Sequence, residues 1–247
     1  MTLILQSSTT ITAPAFPNLT EIDPNLALAF NANSISGLNA GDTIGSFLAS
    51  GNGPERLRTF DGVTSGWTKP TLEIESGKRS LRFDGNRKQI SNYISTSNTI
   101  GAELDQPFTI LVEVKVDSYV NRSNGAIVSG GAVSAELFTI NHFTTVGTFR
   151  AAVSGVGVNF GSSLPVSTWG IIGVVFNGST SLVISPSGVV TATSFPTTRL
   201  KGLRLGGNTN AGAVDGTTFA GNIAQMRIET RAMSEAELVA AWQAMAA

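Results

Sequence analysis

Side chains able to do covalent chemistry are scarce in this sequence. It has one histidine and no cysteine in 247 residues. Thiolate nucleophiles, disulfides and cysteine-held zinc are therefore excluded, and His142 is the sole candidate for an imidazole base. His142 sits in Thr139-Ile-Asn-His-Phe-Thr-Thr145, and no Gly-x-Ser-x-Gly turn exists to supply it with a nucleophile. The expectation is a packed or surface histidine rather than a catalyst, with stacking on or hydrogen-bonding to a ligand as a further role open to it. Paired carboxylates are sought at Glu113-Val-Lys-Val-Asp117, where strand alternation puts Glu113, Lys115 and Asp117 on one face. Lys115 between two acids is expected to pair with one and keep both ionised, whereas a glycosidase needs one carboxyl protonated. Gly155-Val-Gly-Val-Asn-Phe-Gly161 has one residue too many between its second and third glycines for a dinucleotide fingerprint, and β-type residues follow. Asp84, Asn86 and Asp215 are oxygen donors, but no acidic cluster accompanies them and Asp84 reads as an Asx-turn residue. No catalytic residue, metal site or cofactor is assigned.

Binding chemistry has more support. A sugar presents apolar faces edged by hydroxyls, so its site needs an aromatic plane beside Asn, Arg or Asp. Tyr119-Val-Asn-Arg-Ser-Asn124, Gly66-Trp-Thr68 and Asn141-His-Phe143 offer that combination. The candidate carbohydrate-binding residues are Trp67, Tyr119, Asn121, Arg122, Asn124 and His142. The same residues also suit a strand end, a loop plug and turns.

Charged residues are 13 % and the net charge is −1. No long-range field draws nucleic acid or an anionic membrane. The longest apolar run, Gly170 to Phe176, is far too short to span a bilayer, and Met1-Thr-Leu-Ile-Leu-Gln6 lacks a basic n-region. Neither membrane insertion nor a secretion signal is expected.

Strands cut by turns must position any site. Phe108, Ile110, Val112, Val114 and Val116 alternate with mainly polar neighbours, predicting a half-buried antiparallel strand. Trp169–Phe176 is apolar on both faces and is expected mid-sheet. Asn177-Gly178 and Ser185-Pro-Ser-Gly188 are turn signals that join it to the next two strands by hairpins. Ser234 and Glu237 form a capping box, Met233 and Leu238 a hydrophobic staple, and Leu238, Trp242 and Met245 recur at helical spacing. A short C-terminal helix packed on the sandwich follows. Residues 1–25, with Pro14, Pro17 and Pro24 and no steady apolar period, read as an extended arm. Residues 26–247 read as one all-β domain, a two-sheet antiparallel jelly-roll sandwich with that terminal helix.

Three stretches resemble the concanavalin A-like lectin/glucanase superfamily, in its laminin-G or pentraxin-like branch found in bacterial and bacteriophage surface proteins. They are Leu26–Ile44, Ser80-Leu-Arg-Phe-Asp-Gly85 followed by Tyr93-Ile94, and Phe219–Ile228 running into Arg231–Leu238. The resemblance implies two stacked curved sheets, with carbohydrate or protein ligands bound by rim loops or the concave face, sometimes through calcium. Its glucanase members carry Glu-x-Asp-x-x-Glu, and Glu113–Asp117 has neither that spacing nor a third acid.

The resulting expectation is a non-enzymatic, bacteriophage-type virion protein, a head decoration or a tail or fibre component, assembled in the host cytoplasm. Its partners would be other virion proteins or copies of itself, met through the arm, with a host surface glycan as a further contact. The alternative is a soluble carbohydrate-binding module of a bacterial protein.

Overall fold

The computed structural model describes residues 24–53, 58–63, 66–92, 104–117, 125–130, 138–143, 148–161, 164–200, 202–207 and 218–247. Most of the arm and the Tyr93-Ile94 segment lie outside them. In chain order the strands are β1 (Leu26–Asn31), β2 (Phe47–Leu48), β3 (Thr59–Phe60), β4 (Thr71–Glu75), β5 (Lys78–Asp84), β6 (Ile90–Ser91), β7 (Leu104–Asp105), β8 (Phe108–Val116) and β9 (Gly125–Gly130). They continue with β10 (Phe138–Phe143), β11 (Thr148–Val153), β12 (Val156–Phe160), β13 (Trp169–Phe176), β14 (Ser181–Ile184), β15 (Val190–Thr193), β16 (Arg199–Leu200), β17 (Arg204–Leu205) and β18 (Ala220–Glu229). One helix, α1 (Glu235–Ala246), follows.

The strands build two main antiparallel sheets. The eight-stranded sheet runs β15-β14-β13-β8-β18-β5-β4, with β1 also pairing to β18; the six-stranded sheet runs β12-β11-β10-β9-β17-β6. Short pairs β2-β3 and β7-β16 complete the jelly-roll sandwich. The predicted hairpin run is present as β13-β14-β15, and Gly188 N–H donates to Ser185 O at 2.9 Å to close its second turn.

Alternation explains the core. The inward row of β8, Phe108 through Val116, meets Phe138 and Ile140 of β10 and Phe149, Ala151 and Val153 of β11 in one buried cluster. Phe108, Phe138 and Phe176 contact one another across the sheets with ring centroids 4.9–5.7 Å apart. Aromatic pairs at such separations add about 0.5–1.5 kcal/mol each beyond their area burial.

The other face of β8 departs from the half-buried expectation, because all nine residues of the strand are buried. Leu111 is covered together with Ile171 and Val175 by Met233 and Leu238, the staple residues at the start of α1. Thr109 Oγ1 donates to Arg231 O at 2.8 Å and accepts from Met233 N–H at 3.2 Å, which pins the lead-in to the helix. The capping box is present: Ser234 Oγ accepts from Glu237 N–H, and Ser234 N–H donates to the Glu237 carboxylate at 2.8 Å. Further along α1, Trp242 Nε1 donates to Ile171 O at 2.9 Å. β13, as expected, lies inside its sheet, with Ile172, Val174 and Phe176 in the sandwich and Ile171 and Val175 under the helix.

Candidate functional site

Two outward surfaces carry polar chemistry, one on each sheet. On the eight-stranded sheet, β8, β18, β5 and β4 send Glu113, Lys115, Asn222, Gln225, Lys78, Ser80, Arg82, Glu73 and Glu75 outward, the residue types that alternate with the inward apolar row. The expected pairing within Glu113-Val-Lys-Val-Asp117 is corrected here. Lys115 reaches across the sheet to Glu75 at 2.5 Å and Glu73 at 3.5 Å, while Glu113 pairs with Lys78 and Asp117 with Arg82. Gln225 Nε2 donates to Glu113 Oε2 at 3.0 Å, and Asn222 Nδ2 donates to Glu73 at 3.0 Å. Burial by itself would raise the Glu73 pKa, but the Asn222 hydrogen bond and the Lys115 and Arg82 charges outweigh it and hold the carboxyl below its ordinary value. Lys78 stands 4.5 Å over the Trp169 ring, so that side of the indole is already occupied by a cation. The acids here are each paired with a cation, the arrangement of a structural charge network. Glu113 and Lys115 are 5 % and 4 % exposed, while Glu73, Glu75, Lys78 and Arg82 around them reach water.

The six-stranded sheet presents a different surface. β10, β11 and β12 turn Phe138, Ile140, Phe149, Ala151, Val153 and Phe160 inward, which leaves the alternate positions outward. Register places Asn141 opposite Arg150 and Arg150 opposite Asn159, so three hydrogen-bonding side chains form one row across three adjacent strands. Two strand spacings make that row about 10 Å long. Thr139, Ala152 and Gly157 form the neighbouring row. Gly157 matters to the geometry: a Cβ there would stand 2.8 Å from Arg150 Nη2 and 2.9 Å from the Ala152 methyl. Glycine therefore lets the guanidinium lie flat over the edge strand, where Nη2 is 3.4 Å from Gly155 O. Asn159 is exposed, Asn141 and Arg150 are half-buried, and Asn141 Oδ1 has no hydrogen-bond partner. Asn141 Oδ1 is itself buried, so what the row turns toward solvent is chiefly the exposed Asn159 amide beside the half-buried Arg150 side chain, groups able to hydrogen-bond hydroxyls.

Of the sequence-predicted site residues, two, Trp67 and His142, lie among the described residues. Tyr119, Asn121, Arg122 and Asn124 lie outside the described residues. Trp67 is half-buried and packs on Gly207, where a Cβ would stand 2.7 Å from Trp67 Cη2. Gly207 follows β17, and β17 is three strands, about 14 Å, from β11. His142 is the packed residue of the first expectation, and its place in the carbohydrate-binding set is corrected. It pairs in register with inward-facing Phe149, lies edge-on to that ring at 5.8 Å and is 2 % exposed. An imidazole in that layer has no face to offer a sugar. Burial pushes its pKa down to about 4, so it is neutral near pH 7. Asp84 is the expected Asx-turn residue, accepting from Asn86 N–H at 2.9 Å. Sequence reasoning passed over Arg150 and Asn159. The alternation of Thr148-Phe-Arg-Ala-Ala-Val153 and Val156-Gly-Val-Asn-Phe160 was the available signal, but it becomes a row only once the strands are paired.

Fold and face together define a lectin-like β-sandwich. The chain belongs to the concanavalin A-like lectin/glucanases superfamily, for residues 84–239 match its Laminin_G_3 family model. No curated protein matches the sequence. Among solved structures the fold is similar to domain 4 of AbnA, a GH43 extracellular arabinanase from Geobacillus stearothermophilus solved in complex with arabinotriose. The TM-score is 0.54 at 11 % identity, over 89 % of this chain and 98 % of that one. It is also similar to Trypanosoma rangeli sialidase in complex with sialic acid, with a TM-score of 0.58 at 10 % identity over 95 % of this chain. The chain spans 36 % of that sialidase, so the likeness concerns one part of a larger enzyme.

Proposed function

We propose that this chain is a non-enzymatic glycan-binding domain whose contact surface is the outward face of β10, β11 and β12. The observation that carries the reading is the cross-strand row Asn141, Arg150 and Asn159 on the outward face of three paired strands. Rigid strands hold these groups, so little rotamer freedom is lost on binding. The arabinotriose complex of the structurally similar domain 4 supports a carbohydrate ligand for this kind of sandwich. The non-enzymatic part is supported by the β8 acids: Glu113 and Asp117 each sit in an ion pair rather than facing each other across an open cleft. The test is a glycan array with the intact chain, followed by calorimetry on the hits with Asn141→Ala and Asn159→Ala. Each substitution is expected to weaken binding about tenfold, as loss of one hydrogen bond to a ligand does. Hits that both variants bind with unchanged affinity refute this surface.

We also read the chain more narrowly as a bacteriophage-type virion component. This reading rests on the sequence: a Pro-containing segment 1–25 with no core periodicity, few charged residues and a lectin-type domain. Light scattering on the intact chain and on residues 26–247 tests it. A multimer that falls to a monomer on truncation, with the circular dichroism spectrum kept, supports docking through the arm. A monomer in both cases removes that support.

A further inference from the structure

Among the described residues, each main sheet is closed at one end and open at the other. The far side of β4 is taken by residues 41–44, with Gly41 N–H donating to Leu72 O at 2.8 Å and Leu72 N–H to Asp42 O at 2.8 Å. The far side of β6 is taken by Gly62, which exchanges backbone hydrogen bonds of 2.9 Å with Ser91. At the other end, no described strand pairs beyond β12 or β15. The two open edges share a flank, because a Cβ on Gly161, just after β12, would stand 2.9 Å from Ser185 Cβ, just after β14. Natural edges are commonly blocked by a charge, a proline or a bulge. β12, Val156-Gly-Val-Asn-Phe160, has no charge and no proline, and its register with β11 is unbroken.

We propose that β12 is the contact through which two copies of this chain pair, antiparallel about a two-fold axis at Val158, joining their six-stranded sheets. The pairing follows from strand geometry and does not depend on the glycan reading. Ser154 and Gly155, at φ 50° and 83°, make the two-residue turn between β11 and β12, so Val153 and Val156 are a hydrogen-bonded pair. Alternation then points the backbone N–H and C=O of Gly157 and Asn159 away from β11, toward the open flank. Centring on Val158 sets Gly157 opposite the partner's Asn159, where they exchange those bonds, and keeps every inward residue inward. It also sets Val156 opposite the partner's Phe160. Val156 continues the inward row of Val158 and Phe160 yet is 54 % exposed, an apolar side chain that one copy leaves open and a second covers. The occupant is a second copy because the strand is complementary to itself: an antiparallel pair is two-fold symmetric, and no like charges meet in it. Gly157 has no side chain, so the partner's Asn159 amide lies alongside the Arg150 guanidinium, and the rows of the two copies form one surface about 24 Å long.

Light scattering on the intact chain is expected to show a dimer whose share rises with chain concentration. Val156→Lys puts a charge on the inward side of the edge and should raise the dimer's Kd at least about tenfold, with the circular dichroism spectrum kept. Val189→Lys, at a 61 %-exposed valine beside β15 on the same flank, should leave the Kd unchanged. The chain has no cysteine, so a single introduced thiol can bridge only between copies. Two-fold pairing brings the Val158 Cα atoms to about 4.5 Å, within disulfide range. Val158→Cys should therefore give a covalent dimer on oxidation with copper phenanthroline in air, whereas Val189→Cys should not, and this bridge reads the pairing even where Val156→Lys fails to fold. A monomer at every concentration with no Val158→Cys bridge, or equal bridging at both positions, overturns the pairing. A dimer that Val156→Lys leaves intact and that removal of residues 1–25 dissolves overturns it too, and leaves the arm as the contact.

Discussion

Acidification from pH 7 to pH 5 is expected to remove about 2 kcal/mol of stability through one side chain, His142. The imidazole lies in the inward layer at 2 % exposure, and its pKa in the folded chain is pushed down from 6.5 to about 4 by burial. Between those values the unfolded chain binds a proton that the folded chain refuses, so stability rises with pH across the window. The contribution is complete above 6.5, falls as the pH drops, and stops changing below about 4, where both states are protonated. The full shift corresponds to roughly 3 kcal/mol, of which about 2 kcal/mol lies between pH 7 and pH 5. Urea melts at a series of pH values measure it, with His142→Phe as the control that cannot titrate. Carboxylates such as Glu73, whose pKa is lowered, stabilise at high pH and lose that contribution mainly below the ordinary carboxylate range. The difference between the two proteins above pH 5 therefore isolates the histidine. Parallel slopes for wild type and His142→Phe between pH 7 and pH 5 would refute the burial argument.

Other substitutions test the packing and the face. Trp242→Ala removes the indole from the outer cluster and its bond to Ile171 O, and is expected to cost about 2–3 kcal/mol in urea melts, with faster hydrogen exchange along α1. Lys115→Met withdraws a 6 %-exposed ammonium from Glu73 and Glu75, so the Glu73 pKa should rise in an NMR titration. Glu75 is exposed and Glu73 half-buried, so solvent screening limits the stability loss to about 1 kcal/mol. Gly157→Val keeps an extended residue on an edge strand but occupies the place of the Arg150 guanidinium. It should leave the melting temperature within a few degrees and lower glycan affinity about tenfold by calorimetry.

Local rules made much of the fold legible. The Ser234–Glu237 capping box, the Met233–Leu238 staple and the Ser185–Gly188 turn each involve residues within five positions of one another, and each appears in the structure. The apolar alternation of β8 marked its inward face correctly. Its outward face was misjudged, because what buries Leu111 is a helix more than 120 residues further along the chain. The candidate site was less legible still. His142 was singled out for its chemistry, while its burial depends on Phe149 across the hairpin. Lys115 was paired with its own strand's acids, whereas its partners come from β4, three strands away.

By itself the sequence determined the all-β class, the positions of the hairpins, the terminal helix and the absence of thiol chemistry, because periodicity, turn geometry and capping act over a few residues. Only the tertiary structure decided which faces are covered and which side chains become neighbours. Strand order and register bring Asn141, Arg150 and Asn159 into line and set Lys115 beside Glu73 and Glu75. A row assembled across strands leaves no spacing in the chain to read, since cross-strand partners are set by pairing register rather than by distance along the sequence.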